Sequence, residues 1–201
     1  SSPDDTAAMF YTSGTTGMPK GVPLTHKNLC HQINYCSETI LGNPEQVVMV
    51  PLPLHHIYPF SLGVLLIIHI GATLVFPHSI TGPSLMQAIK DNSVTTIVGV
   101  PRLYRALEQG VRRQLDSIPF LMKYASKSAW WLSSTLKKHF DIRAGKTMLK
   151  PLHKKFGESL NILASGGAAL DPHLLTRLEG LGFRVIVGYG LSETSPLVTL
   201  N

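Results

Sequence analysis

Residues 11–22 read Tyr11-Thr12-Ser13-Gly14-Thr15-Thr16-Gly17-Met18-Pro19-Lys20-Gly21-Val22, and these residue types suit the binding of an anion. Gly14, Gly17, Pro19 and Gly21 punctuate the stretch too densely for helix or strand, so it is read as a loop. Glycines let backbone N–H groups turn inward. The hydroxyls of Thr12, Ser13, Thr15 and Thr16 can donate to phosphate oxygens, and Lys20 adds a compact positive charge. The ligand that fits is a polyphosphate; the alternative is a polar turn without a ligand, a common use of this composition. The spacing is not that of the Walker-type loop, because the lysine lies three residues beyond Gly17 and is followed by Gly21.

A second stretch, Gly188-Tyr189-Gly190-Leu191-Ser192-Glu193-Thr194-Ser195-Pro196, again sets glycines beside hydroxyls and adds one carboxylate. In order and separation the two stretches resemble the phosphate-binding signature and the Tyr-Gly-x-Thr-Glu motif of the adenylate-forming superfamily. That superfamily holds acyl-CoA synthetases, peptide-synthetase adenylation domains and luciferases. Pro101-Arg102-Leu103-Tyr104, Ser165-Gly166-Gly167-Ala168-Ala169-Leu170 and a long helical insertion are similar to the long-chain fatty acyl-CoA synthetases within it.

The resemblance implies attack of a carboxylate on the α-phosphate of ATP and departure of pyrophosphate, followed by acyl transfer to coenzyme A. Moving negative charge onto a leaving group calls for cations and N–H donors. Carried over by position, Thr12, Ser13, Gly14, Thr15, Thr16, Gly17 and Lys20 hold the β- and γ-phosphates. Glu193 ligates Mg²⁺, and Ser192 and Thr12 contact the α-phosphate or the metal. Tyr189, between Gly188 and Gly190, stacks on adenine, while Gly166, Gly167 and Ala168 let backbone approach nucleotide and acyl group. A hard ion that takes one or two carboxylates with phosphate oxygens suits a single Glu193. Leu54-His55-His56-Ile57-Tyr58 resembles the substrate-facing motif, which gives His56 the carboxylate or the acyl-adenylate; read without the resemblance, the pair is a structural one. Ser192 replaces the usual threonine but keeps the hydroxyl.

The acid is expected to be apolar. Gln46 to Ile89 contains no Asp, Glu, Lys or Arg, so nothing there would pair the ammonium of an amino acid, and burying that cation alone is costly. The same run invites a membrane-spanning reading. Its prolines and glycines break it, however, and its purest segment, 60–70, is about half a span in length.

The elements that must position these groups follow in order. Thr6 to Tyr11 is expected as a strand with Val22-Pro23-Leu24 as its partner, and Thr25 as the N-cap of a helix from His26 to about Ser37. Strands at 47–50, 72–76, 95–99, 160–164 and 184–187 alternate with helices, one of them opened by Pro101. The expectation is an α/β fold with a mainly parallel sheet covered on both faces. In such sheets ligands sit at the carboxyl ends of the strands, where Gly166-Gly167 and Gly188-Tyr189-Gly190 fall. Residues 111–157 interrupt the rhythm and read as helical, with Phe120-Leu121, Tyr124, Trp131-Leu132 and Leu136 as an inward stripe.

Composition bounds the rest. The 201 residues are 44% hydrophobic and 15% charged, as in a globular chain. Cys30 and Cys36 form no metal or disulfide pattern, and no secretory signal opens the chain, so a cytoplasmic protein is expected. Residues 111–155 hold eleven Lys/Arg and two acids out of a formal net charge of +6. That basic stripe, near Trp130 and Trp131, is open to three readings: an anionic membrane surface, an acyl carrier protein, or a solvated face with Trp in the core. Nucleic acid is not expected, for want of a binding module. No downstream Thr-Gly-Asp-type motif, hinge or lid lysine is seen. The chain therefore reads as part of an N-terminal adenylation domain whose C-terminal lid is absent. The rival readings are an acyl-acyl-carrier-protein synthetase and a nucleotide-binding module without turnover.

Overall fold

The computed structural model of the protein describes residues 1–12, 18–39 and 42–201. A hairpin of β1 (Thr6–Thr12) and β2 (Lys20–Thr25) leads into α1 (His26–Thr39). Thr25 caps that helix as expected: its Oγ1 accepts from Asn28 N at 3.2 Å while Asn28 Oδ1 accepts from Thr25 N at 3.0 Å.

The main body is a six-stranded sheet in the order β4-β3-β5-β6-β7-β8. Strands β3 (Val47–Met49), β4 (Thr73–Val75), β5 (Thr96–Gly99), β6 (Ile162–Ser165) and β7 (Arg184–Gly190) run parallel, and β8 (Leu197–Leu200) returns antiparallel to β7. Alternate residues feed two cores, as a sheet covered on both sides requires. Met49, Ile97, Leu163 and Val185 point into one. Val48, Val50, Val98, Ile162 and Ile186 point into the other.

The first core is closed by α3 (Gly82–Asp91), α4 (Pro101–Asp116), α5 (Phe120–Phe140), α6 (Gly145–Met148), α7 (Lys150–Phe156) and α8 (Pro172–Gly180). The second lies under α1 and a π-helical segment, Pro59–Leu65, that runs on into α2 (Leu66–His69). The charge-free run thus contributes Val48, Met49, Val50, Leu62, Leu66 and Ile67 to the core. Among the described residues no helix is long and apolar enough to cross a membrane.

Two expectations fail. Gly188, Tyr189 and Gly190 do not follow a strand but end one, because β8 pairs Leu200 with Gly188 and Thr199 with Tyr189. The glycines permit this close return, since a Cβ on Gly190 would lie 1.7 Å from Pro196 O. The expected inward stripe of α5 also fails in most of its positions: Leu136 is half-buried, and the Leu121 side chain lies outside what is described. Phe120, Tyr124, Trp131 and Leu132 are exposed, while Trp130 is buried and donates Nε1–H to Arg177 O at 2.9 Å. Small residues made this choice. The helices α5 and α8 approach until a Cβ on Gly180 would lie 1.8 Å from Ser134 Oγ, a separation that bulky inward residues would forbid. Beside them Glu108 is buried between Arg112 and Arg177, the latter an ion contact of 3.0 Å rather than an aligned hydrogen bond.

Candidate active site

Where the parallel strands end, a cavity of about 610 Å³ opens, and both sequence motifs contribute to its wall. Thr12 lines it at the end of β1. Gly188, Tyr189, Gly190, Ser192 and Glu193 line it from the end of β7 and the 3₁₀ turn Ser192–Thr194. The turn also comes within 8 Å, Cα to Cα, of β2, so the flanks of the first motif and the carboxylate of the second share one cleft. Thr194 shapes the turn: its Oγ1 lies 3.0 Å from Leu191 N and 2.6 Å from Pro196 O.

The other expected residues divide. His55 and His56 both line the cavity with exposed rings 4.3 Å apart. Gly166 and Gly167 line it, whereas Ala168 is exposed and outside the wall. Lys20 is outside the wall too; it stands in register opposite Thr12 at the loop end of the hairpin. Ser13, Gly14, Thr15, Thr16 and Gly17, the centre of the expected phosphate loop, lie outside the described residues.

Sequence reasoning quoted two tyrosines without giving them a role. Tyr58 donates to Ala164 O at 2.9 Å, and the Tyr104 hydroxyl lies 2.7 Å from the same oxygen and 2.9 Å from Ile97 O. Burial pushes both phenols to higher pKa, so both remain protonated donors. They brace the end of β6 immediately before the Gly166-Gly167 turn. A Cβ on Gly166 would lie 3.0 Å from Tyr58 Cζ, so glycine there keeps the tyrosine ring under the cavity floor. Only the Leu54–Tyr58 and Pro101–Tyr104 motifs hinted at the pair; nothing local signals that residues 46 positions apart meet.

Chemically the cavity is two-ended. Its mouth carries Thr12, the histidines, Ser192 and the exposed Glu193 carboxylate, with no ion-pair partner among the described residues. Its depth is apolar, with Cys36, Leu62, Leu66, Val98, Ile186 and Leu197. The Cys36 thiol is no nucleophile there, because burial raises its pKa to about 11. Ser165 Oγ is buried in the wall without a partner. The described residues form no cluster of three metal-ligating side chains. One free carboxylate beside hydroxyls fits an ion held mainly by phosphate oxygens, as Mg²⁺ is.

Comparison with known proteins bears on this arrangement. The family model described as AMP-binding enzyme matches residues 1–201. A chloroplastic long-chain-fatty-acid–[acyl-carrier-protein] ligase of Arabidopsis thaliana is 31% identical over 97% of the chain and 31% of its own length. Long-chain-fatty-acid–CoA ligase 1 of Saccharomyces cerevisiae is 28% identical over 98% of the chain and 29% of its own length. The chain thus spans about a third of these relatives. Among solved structures, o-succinylbenzoate coenzyme A synthetase from Bacillus subtilis, in complex with ATP and magnesium, superposes with a TM-score of 0.69 at 23% identity, over all of this chain and 33% of that one. The inhibitor-bound N-terminal domain of FACL13 from Mycobacterium tuberculosis gives 0.69 at 21%, over 98% of this chain and 39% of that one. These two likenesses establish the parallel-sheet fold. From the end-to-end match we conclude that the chain belongs to the AMP-binding enzyme family.

Proposed function

We propose that this chain is the nucleotide- and acyl-binding part of an enzyme that uses ATP to activate a long-chain fatty acid as its acyl-adenylate, releasing pyrophosphate and passing the acyl group to coenzyme A. The observation that carries the reading is the two-ended cavity, a polar mouth shared by both motifs above an apolar depth. Among the described residues Glu193 is the only carboxylate in its lining, and it stands at the mouth. A fatty acid fits the depth, whereas an amino acid would bury its ammonium unpaired.

Each wall has its task. Thr12, Ser192 and the loop ending at Lys20 donate to the phosphates, and Tyr189, 61% exposed at the rim, offers a face to adenine. His56 orients the acid carboxylate by hydrogen bonding, and the Gly166-Gly167 backbone lets the two reactants approach. Glu193, with Thr12, would hold Mg²⁺, which supplies charge neutralisation as pyrophosphate leaves. Among the described residues the lining holds no Lys or Arg, so within this chain backbone N–H groups, hydroxyls, Lys20 and the ion are the groups that would carry the developing charge. An acyl carrier protein thiol as acceptor is the second reading, favoured by the ligase of that type at 31% identity.

The test is acid-dependent ATP–pyrophosphate exchange by the complete protein over acids of increasing length. The expected result is that kcat/KM rises with each methylene up to long chains, by about 0.8 kcal/mol for each CH₂ buried, and that amino acids are inert. Highest activity with acetate or an amino acid would overturn it.

A further inference from the structure

Helix α5 turns aromatic side chains to solvent. Phe120, Tyr124 and Trp131 follow the i, i+4, i+11 spacing that returns to one side of a helix after about three turns. All three are exposed, Trp131 by 69%, and the first two rings pack 4.5 Å apart. The same spacing puts Lys127 and Lys138 on that side, both exposed.

The helix itself carries charge of one sign. Helix α5 contains no Asp or Glu. Asp116 is shared by Lys123 and Lys127 at 3.0 and 2.8 Å, and Lys137 is held by Asp141 and Glu179. Among the described residues Lys138, and Arg143 just beyond the end of the helix, have no carboxylate within 4.0 Å. An exposed face of alternating aromatic and lysine is what a headgroup layer accommodates: amphipathic rings rest at the boundary and lysines reach anionic phosphates. An acyl carrier protein fits less well. It must deliver a thiol to the cavity, and α5 contributes none of the lining residues.

We propose that the Phe120, Tyr124 and Trp131 face of α5 seats the protein on an anionic lipid bilayer, with Lys138 against lipid phosphates. The contact is peripheral, since no described helix can span. The inference leans on the fatty-acid reading only for its purpose, as fatty acids partition into bilayers.

The experiment is co-sedimentation of the complete protein with phosphatidylcholine vesicles, with and without phosphatidylglycerol, at low and high salt. Binding is expected to be at least about tenfold tighter with the anionic lipid and to weaken with salt. The triple variant Phe120→Ser/Tyr124→Ser/Trp131→Ser is expected to lose at least about tenfold in binding while keeping its ATP–pyrophosphate exchange, which shows that it is folded. Brominated lipid is expected to quench Trp131 but not the buried Trp130, so Trp131→Phe removes the quenching. Failure to bind, binding indifferent to anionic lipid or to the triple variant, an unquenched Trp131, or capture of carrier protein in place of vesicles by this face would each overturn the proposal. Exchange without vesicle binding would sink this inference alone; vesicle binding without exchange for any acid would sink the catalytic reading alone.

Discussion

At the scale of single residues, the site depends on side chains left out as much as on those present. A methyl group at Gly166 would fit only tightly, because the Tyr58 ring lies 3.0–3.2 Å from where its Cβ would sit, and Tyr58 is tied to Ala164 O. Gly166→Ala is therefore expected to tilt Tyr58 into the cavity and lower kcat/KM by about tenfold or more, roughly 1.4 kcal/mol in the barrier. Steady-state kinetics on the complete protein measure it, and unchanged kinetics would show that the tyrosine is a bystander. The two motifs were legible from sequence because of the order of their residues; composition alone was not enough, since runs of Gly, Ser and Thr commonly form turns that hold no ligand. Tyr58 and Tyr104 were not, since an aromatic beside an apolar run reads as ordinary core until the fold brings both hydroxyls to one carbonyl.

At the scale of elements, the strands of the parallel sheet were readable as short apolar runs between helices, because β3, β5 and β6 are covered on both faces. β8 was missed: Leu197–Leu200 is short, and only its pairing with the glycines of β7 makes it a strand. The face of α5 was misread because volume was taken as the guide to burial, whereas close helix packing selected Ser133, Ser134 and Ala129. Gly180→Ala is accordingly expected to destabilise the fold by about 1–3 kcal/mol by forcing α8 away from α5, seen as a lower midpoint in urea. An unchanged midpoint would mean the contact is looser than described. The neighbouring α7 carries a buried histidine. His153 Nε2 donates to Leu181 O at 2.7 Å, while Nδ1 is buried without a partner. Burial holds its pKa below the ordinary 6.5, against the upward pull of the Leu181 carbonyl; Lys146 lowers it further, and Glu158 raises it. The folded chain therefore resists a proton that the unfolded chain accepts. Stability is expected to fall as pH drops below about 6.5, by no more than about 1.4 kcal/mol per unit from this group. His153→Gln, which can still donate to Leu181 O, should flatten that part of the profile; an identical profile would contradict the assignment.

At the scale of the whole molecule, residues more than 180 positions apart, Thr12 and Glu193, reach one cavity. The hairpin brings one to the cleft and the turn after β7 brings the other. That convergence was foreseeable from the order of the motifs and the rule that ligands lie at the carboxyl ends of parallel strands. The apolar depth was only partly foreseeable. Its source in the charge-free run was clear, but the π-helical segment that brings Pro59 and Leu62 to the wall, with Leu66 of α2 just beyond it, has no signature in composition. The central claim is that Glu193 supports the chemistry at the ATP phosphates from the cleft it shares with the first motif. Its most direct test is fatty-acid-dependent ATP–pyrophosphate exchange by the complete protein and its Glu193→Gln variant across a magnesium titration. The account predicts a loss of about a hundredfold or more in the variant, with a higher magnesium requirement; exchange at the unmodified rate, with the same magnesium dependence, would contradict it.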